Sequence, residues 1–290
     1  MRIVYHLGVH CTDEDRLVRC LLKNRSVLAE QGIAVPSPTR YRKLLRDTAT
    51  RLRGLPASEE TAAMILDQIM DASDARRMIL SWTSFLSFPA FAVGPMLYSH
   101  GGERLRSFTQ IFPDDEAEFH MAIRNPASFL PDLRQRAQGK GHEDILVGVD
   151  PSRLRWSDTI RAIKEANPGV PLTVWCDEDT PLIWPEVLQS ISGHAPETPL
   201  DDDEELLADL MTEAGLVRYR TYCAQHPPQS VAQRRRVVTA FLEKFGRPER
   251  LEADAGVPGW SEELVEELSH SYLRDIDRIQ RTPGVRFIEP

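Results

Sequence analysis

Three short segments of this 290-residue chain collect side chains able to do chemistry: His10-Cys11-Thr12-Asp13-Glu14-Asp15, Arg124-Asn125 and Asp177-Glu178-Asp179. His10 is a candidate catalytic residue, a loop histidine placed where it could face a bound ligand. Cys11 stands at the start of a helical pattern, where a thiolate is favoured, but the carboxylates beside it oppose loss of its proton. Asp13, with Asp177 and Asp179, offers hard oxygen donors of the kind that hold Mg²⁺ or Ca²⁺, or a cationic substrate. The competing reading is structural. Acidic residues favour the first turn of a helix because of the backbone dipole there, and both triplets precede helical patterns.

Each segment ends a predicted strand: residues 2–7, 116–124 and 171–176. Short apolar runs at 78–82 and 284–288 add two more. Helical patterns occupy 13–31 (closed by Gly32 and Pro36), 42–53, 58–72, 127–138, 156–166 and the stretch from Thr180 toward Leu188. A further helix within 94–111 is interrupted by Gly101-Gly102, and 138–144 is a polar loop. This alternation predicts an α/β fold with a mostly parallel central sheet flanked by helices. The last third predicts three helices, over 201–224, 231–245 and 261–281, as a helical subregion (201–283) of a single domain spanning 1–290. In open α/β sheets ligands bind beyond the carboxyl ends of the strands, where the three segments lie. The helix start behind the first strand offers free backbone N–H groups, with Thr12 or Asp13 to cap it.

Composition narrows the function classes. Lysine and arginine total 35 against 44 acidic residues, a net charge of −9, which opposes a broad basic face for nucleic acid. No apolar run reaches the ~18 residues of a membrane span. Strand pattern from residue 2 leaves no space for a signal peptide, and Cys11, Cys20, Cys176 and Cys223 lack paired spacing. The expectation is a cytoplasmic protein with free thiols. His194, His226 and His270 have no metal-ligand spacing. Arg234-Arg235-Arg236 reads as a solvated helix face. Trp175 and Trp184 flank the third segment as core residues or as walls of a sugar-binding cleft.

His6-Leu7-Gly8-Val9-His10-Cys11-Thr12, followed by Asn24-Arg25, Leu28, Gly32 and Pro36, resembles the opening of the bacterial sulfotransferase-like family. That family begins with a strand, H-x-G-x-x-K-T-G-T-T, and a helix ending N-R-x-x-L-x-x-x-G-x-x-x-P. Ile123-Arg124-Asn125-Pro126 is similar to its R-x-P element, and Trp156-Ser157-Asp158 and the 284–288 strand have family character. The resemblance implies a P-loop-type core that binds 3′-phosphoadenosine 5′-phosphosulfate. It also implies sulfuryl transfer to a hydroxyl of a carbohydrate or small molecule. By the same resemblance Gly8 and Thr12 belong to the 5′-phosphate loop and Arg124 holds the 3′-phosphate, with His10 standing in for the missing lysine.

The carry-over is incomplete. Cys11 occupies the lysine position, Asp13, Glu14 and Asp15 replace glycine and two threonines, and Asp132 replaces the serine that follows the R-x-P arginine. Carboxylates in such a loop repel phosphate, by about 4 kcal/mol for two charges ~4 Å apart at an effective dielectric near 20. Two readings therefore stand: a sulfotransferase that retains transfer, or a degenerate relative that binds without catalysis. An acidic site for a divalent cation or cationic ligand is a variant of the second.

Overall fold

Ile3, Val4 and Tyr5 alternate sides of the first strand, and the same period of two recurs through the sheet. Ile3, Tyr5, Met78, Leu80, Phe119, Met121, Leu172 and Val174 enter one apolar layer; Val4, Ile79, Ala122 and Trp175 enter the other. Both faces are covered, as a parallel sheet requires. The computed structural model describes residues 1–71, 74–138, 144–201, 204–251 and 260–290.

The elements run β1 (Arg2–His6), α1 (Arg16–Lys23), α2 (Arg25–Ala29), β2 (Ile33–Ala34), α3 (Pro38–Leu52), α4 (Glu59–Ile69), β3 (Arg77–Ser81) and α5 (Gly101–Thr109). They continue with β4 (Glu116–Ile123), α6 (Pro126–Gln138), α7 (Trp156–Ala166), β5 (Leu172–Cys176) and α8 (Thr180–Ser192). The last third holds α9 (Glu205–Leu210), α10 (Glu213–Gln225), α11 (Val231–Phe245), α12 (Pro248–Leu251), α13 (Glu262–Gln280) and β6 (Val285–Ile288). The six strands pair in the order β2-β3-β1-β4-β5-β6, all parallel. The chain is an α/β protein with a helical C-terminal part. From β1 the chain crosses to one side of the sheet and from β4 to the other, so the order reverses beside β1. No helix among the described residues is long and apolar enough to cross a membrane.

Several expectations need correction. The pattern at 13–31 predicts one helix, but α1 and α2 break at Asn24. The Asn24 amide is buried and donates to the Cys20 and Asp201 carbonyls, while its oxygen accepts from Asp201 N–H. A side chain tied to two backbone segments ends the helix. Gly101-Gly102 begins α5 instead of interrupting it, because α5 packs against α7 at that point. Residues 201–224 divide at the buried Met211, which bridges to Gly246. Arg234 and Arg235 are not a solvated cluster: they reach the Leu182 carbonyl and Glu186, docking α11 on α8. Residues 139–143 of the polar loop, and 202–203 of the acidic run, lie outside the described residues.

The α5–α7 contact sets where the chain enters α7 at Trp156. A Cβ on Gly102 would press on the Ala162 carbonyl oxygen and lie 2.9 Å from its carbon and 3.0 Å from the Ala166 Cβ. Two of those atoms are backbone and cannot swing aside. Gly102→Ala is expected to cost about 1–3 kcal/mol by overpacking, read as a lower denaturant midpoint at unchanged m-value.

Candidate functional site

A cleft of about 980 Å³ opens beyond the carboxyl ends of β1, β4 and β5. Its wall comes from the first loop and α1 (Thr12, Asp13, Arg16), from the start of α6 (Arg124, Ser128, Asp132) and from the turn into α8 (Asp177, Thr180, Trp184). Leu206, Leu210 and Leu251 of the C-terminal helices close the remaining side. All three chemistry-bearing segments of the sequence therefore meet at the reversal point of the sheet, where the fold class places ligands.

The first loop turns sharply. Gly8 has φ +86°, and a Cβ there would sit 3.2 Å from the Thr83 Cα, so glycine is required by the approach of the chain end of β3. Gly8 is a turn residue and does not reach the cleft. Cys11, Glu14 and Asp15 take φ of 58°, 49° and 63°, a left-handed conformation that non-glycine residues adopt at a cost of order 1–3 kcal/mol each. These turns delay the helix to Arg16, so Thr12 does not cap it; the Thr12 hydroxyl donates to the Val9 carbonyl at 2.8 Å. Asp13 instead places its Oδ2 3.0 Å from the Leu17 N–H. A carboxylate thus occupies the anion position at the start of α1.

The three loop carboxylates do not form one repulsive cluster. Asp15 receives a two-pronged contact from Arg42, at 3.0 and 2.6 Å, and Glu14 pairs with Arg136. Only Asp13 turns into the cleft. His10 is also placed differently from expectation. It is 1% exposed, its Nδ1 lies 2.8 Å from the Tyr98 hydroxyl and its Nε2 3.4 Å from the Ser84 hydroxyl. That makes it a core histidine stacked on Tyr98, off the cleft wall. The Cys11 thiol is pushed up to about 11, first by burial, with the nearby arginines opposing. Burial outweighs the neighbouring carboxylates that the sequence singled out.

Arg124 does line the cleft. Its guanidinium donates to the Cys11 carbonyl at 2.8 Å and to the Ser128 hydroxyl at 3.1 Å, and it pairs with Asp132 at 2.7 Å. Asp132 therefore neutralises the guanidinium of Arg124 at the cleft wall. The cation set suggested by sequence does not assemble. Asp179 is absent from the cleft wall, and no group of three His, Cys, Asp or Glu side chains among the described residues is arranged to hold a metal ion.

Five buried polar atoms of the cleft-lining residues have no hydrogen-bond partner among the described residues: Asp13 Oδ1, Arg16 Nε, Arg134 Nε, Thr180 Oγ1 and Trp184 Nε1. Asp13, Thr180 and Trp184 are only 8%, 7% and 3% exposed. Each such atom costs about 1–3 kcal/mol if left unmade, and all five belong to residues in the wall of this one cleft. Trp175, by contrast, is core and stacks on His6. Arg16 and Thr180 were detectable in sequence as first-turn residues behind a strand. Arg134 carries no sequence signal.

Asp177 is partly buried; its carbonyl accepts from the Thr180 N–H, while its carboxylate has no hydrogen bond or ion pair among the described residues. Burial, then Glu178 and Asp13, push its carboxyl up to about 7 against the pull of Arg124 and Arg16. A carboxyl poised there can accept or release a proton near neutral pH. Comparison of the chain with protein families, characterised proteins and solved structures found no match.

Proposed function

We propose that this chain is a sulfotransferase-like protein whose donor-binding loop is closed by its own side chains, and whose cleft binds a small hydroxyl-rich molecule, a carbohydrate in the first instance, without transferring a sulfuryl group. One observation carries the reading: the Asp13 carboxylate sits on the Leu17 N–H, where the 5′-phosphate of a nucleotide would have to go. The rest of the cleft agrees with it. Four arginines (16, 124, 134, 250) face four carboxylates (Asp13, Asp132, Asp177, Glu178), so the wall offers a polyanionic nucleotide no net attraction. The unmade groups are of both kinds, three donors, one acceptor and one hydroxyl that is either. A sugar hydroxyl likewise donates and accepts.

The test is a thermal shift with 3′-phosphoadenosine 5′-phosphate and with monosaccharides. A working donor site saturated a hundredfold gains about 2.7 kcal/mol, hence a rise of roughly 5 °C or more for a chain this size. The expected nucleotide shift is under about 1 °C, unchanged in Arg124→Ala. A full shift that Arg124→Ala abolishes would restore the transferase reading. At about 50 mM, monosaccharides should include stabilisers whose effect falls in Thr180→Val.

A further inference from the structure

The cleft's positive charges are largely taken. Arg16 pairs with Asp209 at 2.5 Å, Arg124 with Asp132 at 2.7 Å and Arg134 with Asp144 at 2.6 Å. Among its carboxylates Glu178 accepts from the Asn125 N–H at 2.7 Å and from the Tyr272 hydroxyl at 3.1 Å. Asp13 and Asp177 differ. Neither has a cationic side-chain partner among the described residues; one oxygen of Asp13 takes the Leu17 N–H and the other is buried with nothing to accept. Thr180 follows Asp177 by three positions across the single 3₁₀ turn Asp177–Asp179, a spacing that stacks two side chains on one face. Its hydroxyl is buried and unpartnered as well.

Two carboxylates without a cation and a hydroxyl, all in the wall of one cleft, call for a compact group with several N–H donors and a positive charge. A divalent cation is a poor match, since it takes six or more oxygen ligands and no third acidic, His or Cys donor is in place among the described residues. An ammonium group needs three acceptors, and Asp13, Asp177 and Thr180 line the same cleft. The neighbouring unmade donors, Arg16 Nε and Trp184 Nε1, require acceptor oxygens on the same ligand. Building on the reading of the cleft as a hydroxyl-binding site, we propose that Asp13, Asp177 and Thr180 form an ammonium subsite and that the ligand is an amine-bearing polyhydroxyl compound, an amino sugar by chemical class.

Asp177 is faced by Glu178 from its own turn, by Arg124 at the end of β4, by Asp13 in the first loop and by Arg16 in α1. Because burial and the two carboxylates hold it up to about 7, it gains its charge as pH rises through neutrality. An alkyl ammonium stays charged across that range, so its binding tightens with pH while that of a neutral sugar does not.

Calorimetric titration of the full chain with 6-amino-6-deoxy-D-glucose and with D-glucose, at about pH 6 and pH 8, decides the matter. The amine is expected to bind at least about tenfold tighter than glucose at the higher pH, and to gain about tenfold between the two pH values. Both advantages should vanish in Asp177→Asn. Equal affinity for the two sugars, or an amine advantage that survives in Asp177→Asn, overturns the ammonium subsite and leaves the cleft as a hydroxyl site. Absence of binding by both sugars overturns the subsite and the reading beneath it. Should Asp177→Asn fail to fold, the pH profile of the wild-type chain decides: a flat profile for the amine rejects the proposal.

Discussion

Trp156→Ala is expected to lower stability by about 3–5 kcal/mol, the loss seen when a fully enclosed large aromatic is truncated. Trp156 has no exposed surface. Its ring stacks on Tyr98 with centroids 6.1 Å apart and meets Phe129 at 5.1 Å, and such pairs add roughly 0.5–1.5 kcal/mol each beyond area burial. The indole N–H also donates to the Arg124 carbonyl at 2.8 Å, directly beneath the cleft. Truncation therefore removes both core volume and the support of the arginine that Asp132 and Cys11 hold from above. Trp156→Phe separates the two contributions, since it keeps most of the volume and removes the donor; it should cost about 1–2 kcal/mol. Urea denaturation of the three proteins is the measurement. A loss below about 1.5 kcal/mol for Trp156→Ala would mean that the site collapses around the gap and that Trp156 does not support Arg124.

The contrast between strands and loop explains what the sequence discloses. β1, β3, β4 and β5 carry buried runs whose side chains alternate between two apolar layers, and such runs are local patterns; edge strand β6 buries only Ile288. β2 is two residues long and has no pattern to detect. The positions of the three polar segments follow from the strands, so the place of the cleft was readable as well. The fate of their side chains was not. Asp15 is neutralised by an arginine 27 positions away, Glu14 by one 122 positions away and Arg16 by an aspartate 193 positions away. His10 is withdrawn into the core by a tyrosine 88 positions away. A charge run read without its partners looks repulsive; with them it is a braced turn from which one carboxylate, Asp13, faces the ligand space. The obstacle to a phosphate is less the number of carboxylates than the single one that already occupies the helix start.

A partly buried charge cluster sits at the far end of α8. Arg77 on β3 makes a two-pronged contact with Glu118 on β4, at 3.1 and 3.0 Å, and donates to the Ile191 and Ser190 carbonyls in the last turn of α8. His120 Nε2 lies 2.6 Å from the same carboxylate. These contacts fasten the helix whose first turns carry Thr180 and Trp184. Burial alone would raise the Glu118 carboxyl, but the His120 ring and the Arg77 fork outweigh it and bring it down to about 2. Glu118→Ala leaves a guanidinium only 14% exposed without its counter-charge and should cost about 3–5 kcal/mol at neutral pH. Glu118→Gln, which keeps the shape, should cost less. The pH dependence follows from the direction of the shift. A carboxyl held below its unfolded value contributes fully above about 4.5 and loses that contribution as pH falls toward about 2. Allowing for the solvent that reaches Glu118, the gap between wild type and Glu118→Ala should narrow by on the order of 1 kcal/mol between about pH 6 and pH 3. A gap that stays constant over that range would show that Glu118 acts by packing and not by charge. If the cluster does hold α8 in register, the same variant should weaken monosaccharide binding at pH 7 even though no atom of Glu118 lines the cleft. Unaltered binding would separate the anchoring of α8 from the geometry of the site.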